Sequence, residues 1–229
     1  AKMSKKVERV LVFDVETSGL IPREREDVHI NDLPYILQLS YVIFETKGWK
    51  VVKCMDTYIN VDKSVEISEK ITELTGITRK MCDRGINIDV ALHEFAFDYM
   101  NSDIIVAHNI NFDREMIKIE IERNKLRLKQ EWHNVFNREF EKEINKINYC
   151  TMYSSKYICK IERTNDKGEK YYKSPKLLEL HEHLFGTTPE NLHNSLIDTF
   201  ICLRCFVKLR FKFDMPLRQF PEITFSVKK

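Results

Sequence analysis

The chain has 229 residues, enough for one large domain or two small ones. Its 43% hydrophobic and 31% charged residues form an ordinary globular balance. A formal net charge of only +2 excludes a protein that binds nucleic acid through strong overall basicity. The uncharged apolar-rich run PYILQLSYVIF has 11 residues, short of the roughly 18 that a membrane-spanning helix needs. With no signal peptide in the sequence, we expect a cytoplasmic protein that does not enter the membrane.

The first part of the chain predicts three strands. Residues 9–15, RVLVFDV, are nearly continuous in apolar and β-branched residues, which is typical of a central strand covered on both faces. Further strands are predicted at 35–45 and 49–60, with Lys47-Gly48 as a turn signal. Because short turns join neighbouring strands, an antiparallel meander is expected.

Helices and strands alternate after residue 60, which predicts a single α/β domain over 1–229 with its core at about 8–209. Residues 68–77 are expected to form a short helix, with Ser68 as its N-cap and Gly76 as its stop. The other predicted elements are, in chain order, helix 88–101, strand 103–109, helix 112–126, a strand or short helix at 149–158, an exposed hairpin at 158–173, a helix from Pro175 in its first turn to Gly186, and a long final helix at 195–213.

Two segments carry charge without a clear apolar period. Residues 129–148 fit a solvated helical insertion, which we favour, or a helix that recruits a partner. Residues 204–229 contain seven Lys or Arg and two acids, so the C-terminal 210–229 is a basic tail. A solvated surface is the preferred interpretation of this tail, and contact with a phosphate backbone is the alternative.

The six cysteines are too few for a disulfide scaffold in a chain of this length, which favours a reduced protein. Cys202 and Cys205 form a C-x-x-C pair, but no second Cys or His pair lies at zinc spacing. Both lie in the apolar run TFICLRCFVKL. We therefore expect a buried pair of thiols on a helix.

Two acids end the first strand, in the sequence FDVETSGL. Side chains two apart on a strand point to the same face, so Asp14 and Glu16 project together from its carboxyl end. That end is where open α/β sheets place ligands. Their mutual repulsion on burial would be cancelled by a divalent cation. By itself, the pair also fits a loop position for Glu16 in which it caps a backbone group.

A second polar group follows the strand at 103–109, in AHNINFDREM. His108, Asn109, Phe112 and Asp113 crowd one strand-to-helix junction. That junction meets the end of the first strand if the two strands are parallel neighbours. Asp113 alone is also explained as an acid that favours the helix dipole.

The third group is HNSLID, which contains His193 and Asp198. These two side chains converge if His193 lies in a loop and the helix starts after it, with Ser195 as its N-cap. A capping box of Ser195 and Asp198 is the alternative interpretation. Taken together, the three groups supply four carboxylates and a histidine. Oxygen ligands without thiolates indicate Mg²⁺ or Mn²⁺, and four carboxylates suit two ions.

The three motifs resemble those of the DEDD superfamily of 3′-to-5′ exonucleases, in the branch whose third motif carries histidine. This branch includes the proofreading exonuclease subunits of bacterial DNA polymerase III and ribonuclease T. LTGIT at 74–78 and SPKLLELHEHLFG at 174–186 are similar to family segments between the motifs. The resemblance covers roughly 8–209 and implies a ribonuclease H-like fold, an α/β fold with a mixed five-stranded sheet flanked by helices.

The resemblance also implies roles for the residues. Metal ligands would be Asp14, Glu16, Asp113 and Asp198, and His193 would be the general base. Positions that match or adjoin the nucleotide-binding pocket of relatives are Thr17, Ser18, Gly19, Leu20, His108, Asn109 and Phe112. Residues 21–33 and 129–148 are longer than in a minimal family member, and either could shape substrate access or bind a partner.

The expected activity is two-metal hydrolysis of the terminal phosphodiester of a nucleic acid with a free 3′ end, with DNA favoured. An RNA-trimming enzyme of the same family is the first alternative. A non-cleaving module that serves a polymerase or another nucleic-acid complex is the second. The intact set of four acids and His193 argues against this second alternative. Strand preference and oligomeric state are left open.

Overall fold

The computed structural model describes residues 8–190, 192–221, 223 and 225–227. The regular elements are β1 (Arg9–Thr17), β2 (Ile36–Glu45), β3 (Lys50–Tyr58), α1 (Glu69–Thr75), α2 (Arg79–Asp83), α3 (Ile88–Met100), β4 (Ile104–Ala107), α4 (Ile110–Arg123), α5 (Arg138–Glu143), β5 (Ile147–Cys150), α6 (Thr151–Cys159), β6 (Ile161–Thr164), β7 (Lys170–Lys173), α7 (Leu177–Phe185), β8 (Thr187–Pro189), α8 (Ser195–Phe211) and β9 (Phe225–Val227). Short 3₁₀ turns lie at Arg25–Asp27, Ile30–Asp32, Lys125–Arg127, Gln130–Asn134 and Leu217–Gln219.

The main sheet has five strands in the order β3-β2-β1-β4-β5. β2 is antiparallel to both β1 and β3, which confirms the predicted meander. β4 runs parallel to β1, and β5 runs parallel to β4. The carboxyl ends of β1, β4 and β5 therefore meet at one edge of the sheet, and the mixed five-stranded α/β fold is confirmed.

Apolar side chains cover both faces of β1, as its continuous apolar sequence predicts. Leu11, Phe13 and Val15 join one core with residues of α3 and α4. Val10 and Val12 join a second core, in which α8 covers the opposite face. Burial of both faces explains why the strand tolerates so few polar residues before its end.

The predicted start and end of α1 and the predicted end of α7 are confirmed, but the predicted start of α7 is wrong. The Ser68 hydroxyl accepts a hydrogen bond from the Ile71 N–H at the start of α1, and Gly76 ends that helix in the left-handed conformation. Gly186 ends α7 in the same way. Pro175, however, lies before the N-cap and outside the first turn of α7, because Lys176 occupies the cap position.

The interpretation of 129–148 as a solvated helix is wrong for its apolar residues. The segment forms a 3₁₀ turn, the short helix α5 and the start of β5. Trp132, Val135 and Phe136 are buried in the same core as Phe13. Glu141 on α5 is buried as well, and its carboxylate accepts a hydrogen bond from the Tyr99 hydroxyl at 2.5 Å. The segment is thus an integral part of the core.

The C-terminal tail is also packed against the fold, contrary to the preferred interpretation. Phe211, Phe213 and Phe220 lie against the second core, and Met215 is buried in it. Farther on, β9 pairs antiparallel with β8 to form a separate two-stranded sheet. The sequence did not predict either strand of this sheet, because each has only three residues.

The hairpin predicted at 158–173 is present as β6 and β7, with Gly168 in the left-handed conformation at its turn. Cys202 and Cys205 are both buried on α8 and carry free thiols, as expected. Burial raises the pKa of both thiols above the usual range. In the part of the chain that the structure describes, no helix has the length and apolar character needed to cross a membrane.

Candidate active site

Asp14 and Glu16 both lie within β1, side by side on one face near its carboxyl end. Across the sheet they pair with Ser40 and Gln38 of β2. The register shifts between Glu16 and Thr17, so the strand becomes irregular directly after the second acid. Glu16 therefore belongs to the strand, and the loop interpretation of this residue is wrong.

Asp113 is placed in the first turn of α4, as predicted. The N-cap of the helix, Asn109, adopts the left-handed conformation with φ of 65° and turns the chain sharply after β4. One oxygen of the buried Asp113 carboxylate accepts a hydrogen bond from the Val15 N–H at 3.2 Å. This contact joins the start of α4 to the strand that carries the first two acids.

Asp198 lies in the first turn of α8, and His193 lies in the loop before it, as predicted. The N-cap is Asn194, whose side chain accepts hydrogen bonds from the N–H groups of Leu196 and Ile197, so the assignment of Ser195 as N-cap is wrong. His193 has φ of 75°, and its backbone N–H donates to Asp198 Oδ1 at 3.4 Å. This contact holds the backbone of the exposed His193 beside Asp198.

Ser195 is instead the first residue of the helix, and it points into the protein. Its hydroxyl forms a short hydrogen bond with the hydroxyl of Ser40 on β2, and both residues are buried. Since Ser40 lies opposite Asp14 in the sheet, this contact positions α8 against the acidic strand. Gln38 and Ser40 interrupt an otherwise apolar strand, and these two polar residues are the sequence signal that marks β2 as a partner of the site.

The acids converge as the sequence predicts. One oxygen from each of Asp14, Glu16 and Asp198 lies within 4.8 Å of the others. Asp113 lies outside this closest group, yet it is near enough for its charge to raise the pKa of Asp14. Four carboxylates that are separated by up to 184 positions in the sequence thus share one site.

Burial is the main reason that these carboxyls resist ionisation. It raises the pKa of Glu16 to about 8, with a further contribution from Asp198. It raises the pKa of Asp198 to about 7, and those of Asp14 and Asp113 rise for the same reason, with mutual repulsion added. Among the described residues, no lysine or arginine adds an opposite charge that would lower these pKa values.

The donor set fits a divalent cation. Asp14 Oδ2 is buried and has no hydrogen-bond partner among the described residues, which is costly for a carboxylate oxygen. The oxygen atoms of Glu16 and Asp198 are close enough to bind the same ion. Hard carboxylate oxygens without thiolate or imidazole ligands in the closest group suit Mg²⁺ or Mn²⁺.

The end of β1 and the residues after it lead into a loop next to the first two acids. The Thr17 hydroxyl donates to the Gly19 carbonyl at 2.7 Å, and Ser18 exchanges hydrogen bonds with the backbone of Tyr35. These contacts fix the loop, while the Leu20 side chain remains 85% exposed. Ser18, Gly19 and Leu20 line one side of an open groove of about 890 Å³.

The segment 21–33 forms the neighbouring wall of this groove. Arg123 on α4 anchors it, because its guanidinium donates to the carbonyls of Ile30 at 2.7 Å and Leu33 at 3.0 Å. The same guanidinium pairs with the buried Glu120 at 2.6 Å. Burial raises the pKa of Glu120 to about 7, although Arg123 opposes that shift.

The remaining predicted substrate contacts differ in character. Both ring nitrogens of His108 have protein partners at 2.9 Å, namely the Thr151 hydroxyl and the Pro175 carbonyl. Burial lowers the pKa of His108 to about 4, so the imidazole is neutral near pH 7. A direct contact between His108 and substrate would require one of these bonds to break. Asn109 and the partly buried Phe112 are at the start of α4, beside Asp113.

The mixed five-stranded sheet and the acidic cluster at its edge are those expected of a ribonuclease H-like exonuclease domain. The family model described as "Exonuclease" (RNase_T) matches residues 11–206, and the chain belongs to this family. The resemblance to an exonuclease family is thereby confirmed.

Named relatives match parts of the chain. The DNA polymerase III PolC-type of Thermotoga maritima is 33% identical over 113 residues, which are 49% of this chain and 7% of that protein. The 3′-5′ exonuclease DinG of Bacillus subtilis is 31% identical over 114 residues, which are 50% of this chain and 11% of that protein. The chain thus matches only a small part of the length of these relatives.

Solved structures share the fold. E. coli Exonuclease I in complex with a dT13 oligonucleotide has a TM-score of 0.59 and 16% identity, over 90% of this chain and 42% of that one. The nuclease domain of 3′hExo, a DEDDh family member bound to rAMP, has a TM-score of 0.58 and 15% identity, over 91% of this chain and 94% of that one.

Proposed function

We propose that the chain hydrolyses the terminal phosphodiester at the 3′ end of a nucleic acid and releases a nucleoside monophosphate. The observation that carries this proposal is the convergence of Asp14, Glu16 and Asp198 to within 4.8 Å, beside the exposed His193. Such a cluster is costly to bury, and a phosphoryl-transfer site with bound cations offsets that cost. Family membership supports the same reaction class.

Two Mg²⁺ or Mn²⁺ ions are the cofactors that the site would hold, through Asp14, Glu16, Asp113 and Asp198. Mg²⁺ is commonly held by one or two carboxylates together with substrate oxygens, so four carboxylates suit two ions. Bound divalent cations would stabilise the charge on the attacking and leaving oxygens of the phosphodiester.

His193 is proposed as the general base that accepts a proton from the attacking water at a ring nitrogen. Its side chain is exposed, and its backbone N–H donates a hydrogen bond to Asp198. Thr17 and Leu20 would receive the terminal nucleotide. The exposed apolar Leu20 offers a surface for a base, and Thr17 fixes the loop beneath it.

DNA is the preferred substrate in this proposal, because the matched relatives include DNA polymerase III PolC-type proteins. An RNA substrate is supported by structural neighbours described as a 3′-exonuclease that recognises a histone mRNA stem-loop and as 3′hExo bound to rAMP. The polymerase relatives also support association with a polymerase or another protein of nucleic-acid metabolism.

The test is a digestion of matched 5′-labelled DNA and RNA 20-mers, with and without Mg²⁺. We expect a ladder that shortens from the 3′ end only when Mg²⁺ is present, with DNA degraded faster. Asp14→Ala should remove nearly all of this activity, because one ligand of the cation is lost. Equal degradation by Asp14→Ala and the wild-type protein would refute the assignment.

A further inference from the structure

The helix that follows β5 has an unusual outer face. Tyr153, Lys156, Tyr157 and Lys160 follow one another at helical spacing, so their side chains share one side of α6 and its C-cap. Tyr153 is 51% exposed and Tyr157 is 68% exposed. Aromatic side chains that are this exposed on a helix bury little surface, so they add little to the stability of the fold.

The hairpin of β6 and β7 extends this face. Tyr157 contacts the ring of Tyr172 edge to face, with the ring centroids 6.3 Å apart. The neighbouring Tyr171 is also exposed, and a groove of about 410 Å³ lies between the helix and the hairpin. We call this combined surface of α6, β6 and β7 the tyrosine platform.

The platform is strongly basic for this protein. Residues 151–176 contain seven Lys or Arg and three acids, a surplus larger than the net charge of +2 of the whole chain. Four of the nine tyrosines lie in the same stretch. Two ion pairs reduce this surplus locally, because Glu162 is paired with Lys170 at 2.9 Å and Lys173 with Glu179 of α7 at 2.6 Å. The Lys156 ammonium lies 5.5 Å from the centroid of the Tyr157 ring, so charge and aromatic surface alternate.

The platform is continuous with the acidic site. β5 is parallel to β4, so α6 begins at the sheet edge where the acids lie. The Tyr153 hydroxyl accepts a hydrogen bond from the Asn111 side chain at 3.3 Å, and Asn111 is two residues from Asp113. The Thr151 hydroxyl bonds to His108 at the end of β4. A ligand that leaves the acidic site on this side therefore meets Tyr153 first.

We propose that the tyrosine platform binds the single-stranded part of the substrate upstream of its 3′ end, by stacking of bases on tyrosines and by contact of phosphates with lysines. Alternating aromatic and basic side chains are the chemistry that holds single strands without sequence preference. The proposal rests on the function proposed above, because that function places the 3′ end of the strand at the acids.

The first test compares substrate lengths. The ratio of KM for a dinucleotide to KM for a 20-mer measures how much the enzyme gains from a longer strand. We expect Tyr157→Ala to reduce this ratio about tenfold, within the range for loss of one stacked base. Tyr157→Phe, which keeps the ring, should retain the wild-type ratio. A ratio that Tyr157→Ala leaves unchanged would overturn the stacking role.

The second test measures binding of a fluorescein-labelled dT20 by anisotropy, without divalent metal, as a function of salt. The double variant Lys156→Ala/Lys160→Ala should lower the slope of log K against log salt by about 1.4, which corresponds to two lost phosphate contacts. Lys47→Ala/Lys50→Ala, at the opposite end of the sheet, is the matched control and should retain the slope. An unchanged slope in the platform variant would overturn the phosphate contacts.

The two tests separate failure of this inference from failure of the proposed function. If the chain is not a nuclease, the wild-type protein cleaves neither the dinucleotide nor the 20-mer. The anisotropy measurement needs no cleavage and still reports on the platform. If the chain is a nuclease without this platform, the wild-type protein and all platform variants share one length ratio and one salt slope.

Discussion

The backbone N–H of Val15 donates to Oδ1 of Asp113, 98 residues later in the chain, at 3.2 Å. β1 pairs with β4 only over Val10–Val12, so beyond that point the carboxylate of Asp113 takes over as a partner for the strand. The same residue therefore has two tasks. One of its oxygens accepts the hydrogen bond that joins α4 to β1, and the carboxylate as a whole contributes to the acidic site.

These two tasks can be separated by two substitutions of Asp113. Asp113→Asn retains an oxygen for the Val15 N–H, whereas Asp113→Ala leaves that donor buried without a partner, which costs about 1–3 kcal/mol. We expect both variants to lose nuclease activity, and Asp113→Ala alone to have the lower free energy of unfolding. Urea denaturation without metal measures the difference. Equal stability of the two variants would show that the Val15 contact is energetically unimportant.

His193 should act in the reaction without contributing to the fold, because its side chain is exposed and its N-cap neighbour Asn194 remains. We expect His193→Ala to lower kcat by about 10²–10⁴-fold, the usual range for a lost general base. The exposed His183 on α7 is a matched control, and His183→Ala should retain wild-type kcat. Initial rates on one labelled oligonucleotide, at saturating concentration, compare the two. A His193→Ala rate within twofold of wild type contradicts the role.

The metal-free protein should lose stability as the pH rises from about 4 to about 8, and the loss should level off above that. Glu16 has a pKa of about 8 in the folded protein and 4.5 ordinarily, and Asp198 has about 7 against 3.8. At a pH between the unfolded and the folded pKa of each group, the folded state binds more protons than the unfolded state. The free energy of unfolding therefore falls as the pH rises over this range. Mg²⁺ should reverse this loss, since it replaces the protons. Tm should therefore rise more with Mg²⁺ at pH 8.5 than at pH 5.5.

The control for this pH dependence is Asp198→Asn, which removes one titrating carboxyl and one proposed metal ligand. Its Tm without metal should fall less steeply with pH, and Mg²⁺ should raise it less. Titration calorimetry in buffers of different ionisation enthalpy counts the protons that Mg²⁺ displaces. Release of no protons at pH 6.5 would contradict the raised pKa values.

Because the 129–148 segment is part of the core, the stability of the protein should depend strongly on Phe136. Its ring is fully buried, with its centroid 5.0 Å from that of Tyr99 and 5.7 Å from that of Phe13. We expect Phe136→Ala to lower the free energy of unfolding by about 3–5 kcal/mol, the usual cost of a large cavity in a core. Leu126→Ala, at a fully exposed site nearby in sequence, should change it by less than about 0.5 kcal/mol. Equal effects of the two would restore the interpretation of a solvated insertion.

Much of the architecture and the candidate site follows from local sequence. Strand β1 is recognisable because burial on both faces demands continuous apolar residues, and Asp14 and Glu16 stand out because they interrupt that run near its end. The start of α4 and the loop before α8 are recognisable from polar residues next to apolar periodicity. Each of these signals lies within a few residues, which is the range over which backbone period and capping act.

The tertiary structure decided what depends on partners distant in the chain. Trp132 and Phe136 are buried only because Phe13, Phe95 and Tyr99 form a surface that receives them. β8 and β9 are strands only because 187–189 and 225–227 lie side by side, since three residues carry too little pattern to predict. Ser195 faces Ser40 instead of capping its helix because the buried β2 offers it a partner. The sequence alone determined which chemistry the chain carries, and long-range packing decided how that chemistry is surrounded, because burial is a property of neighbours that only folding brings together.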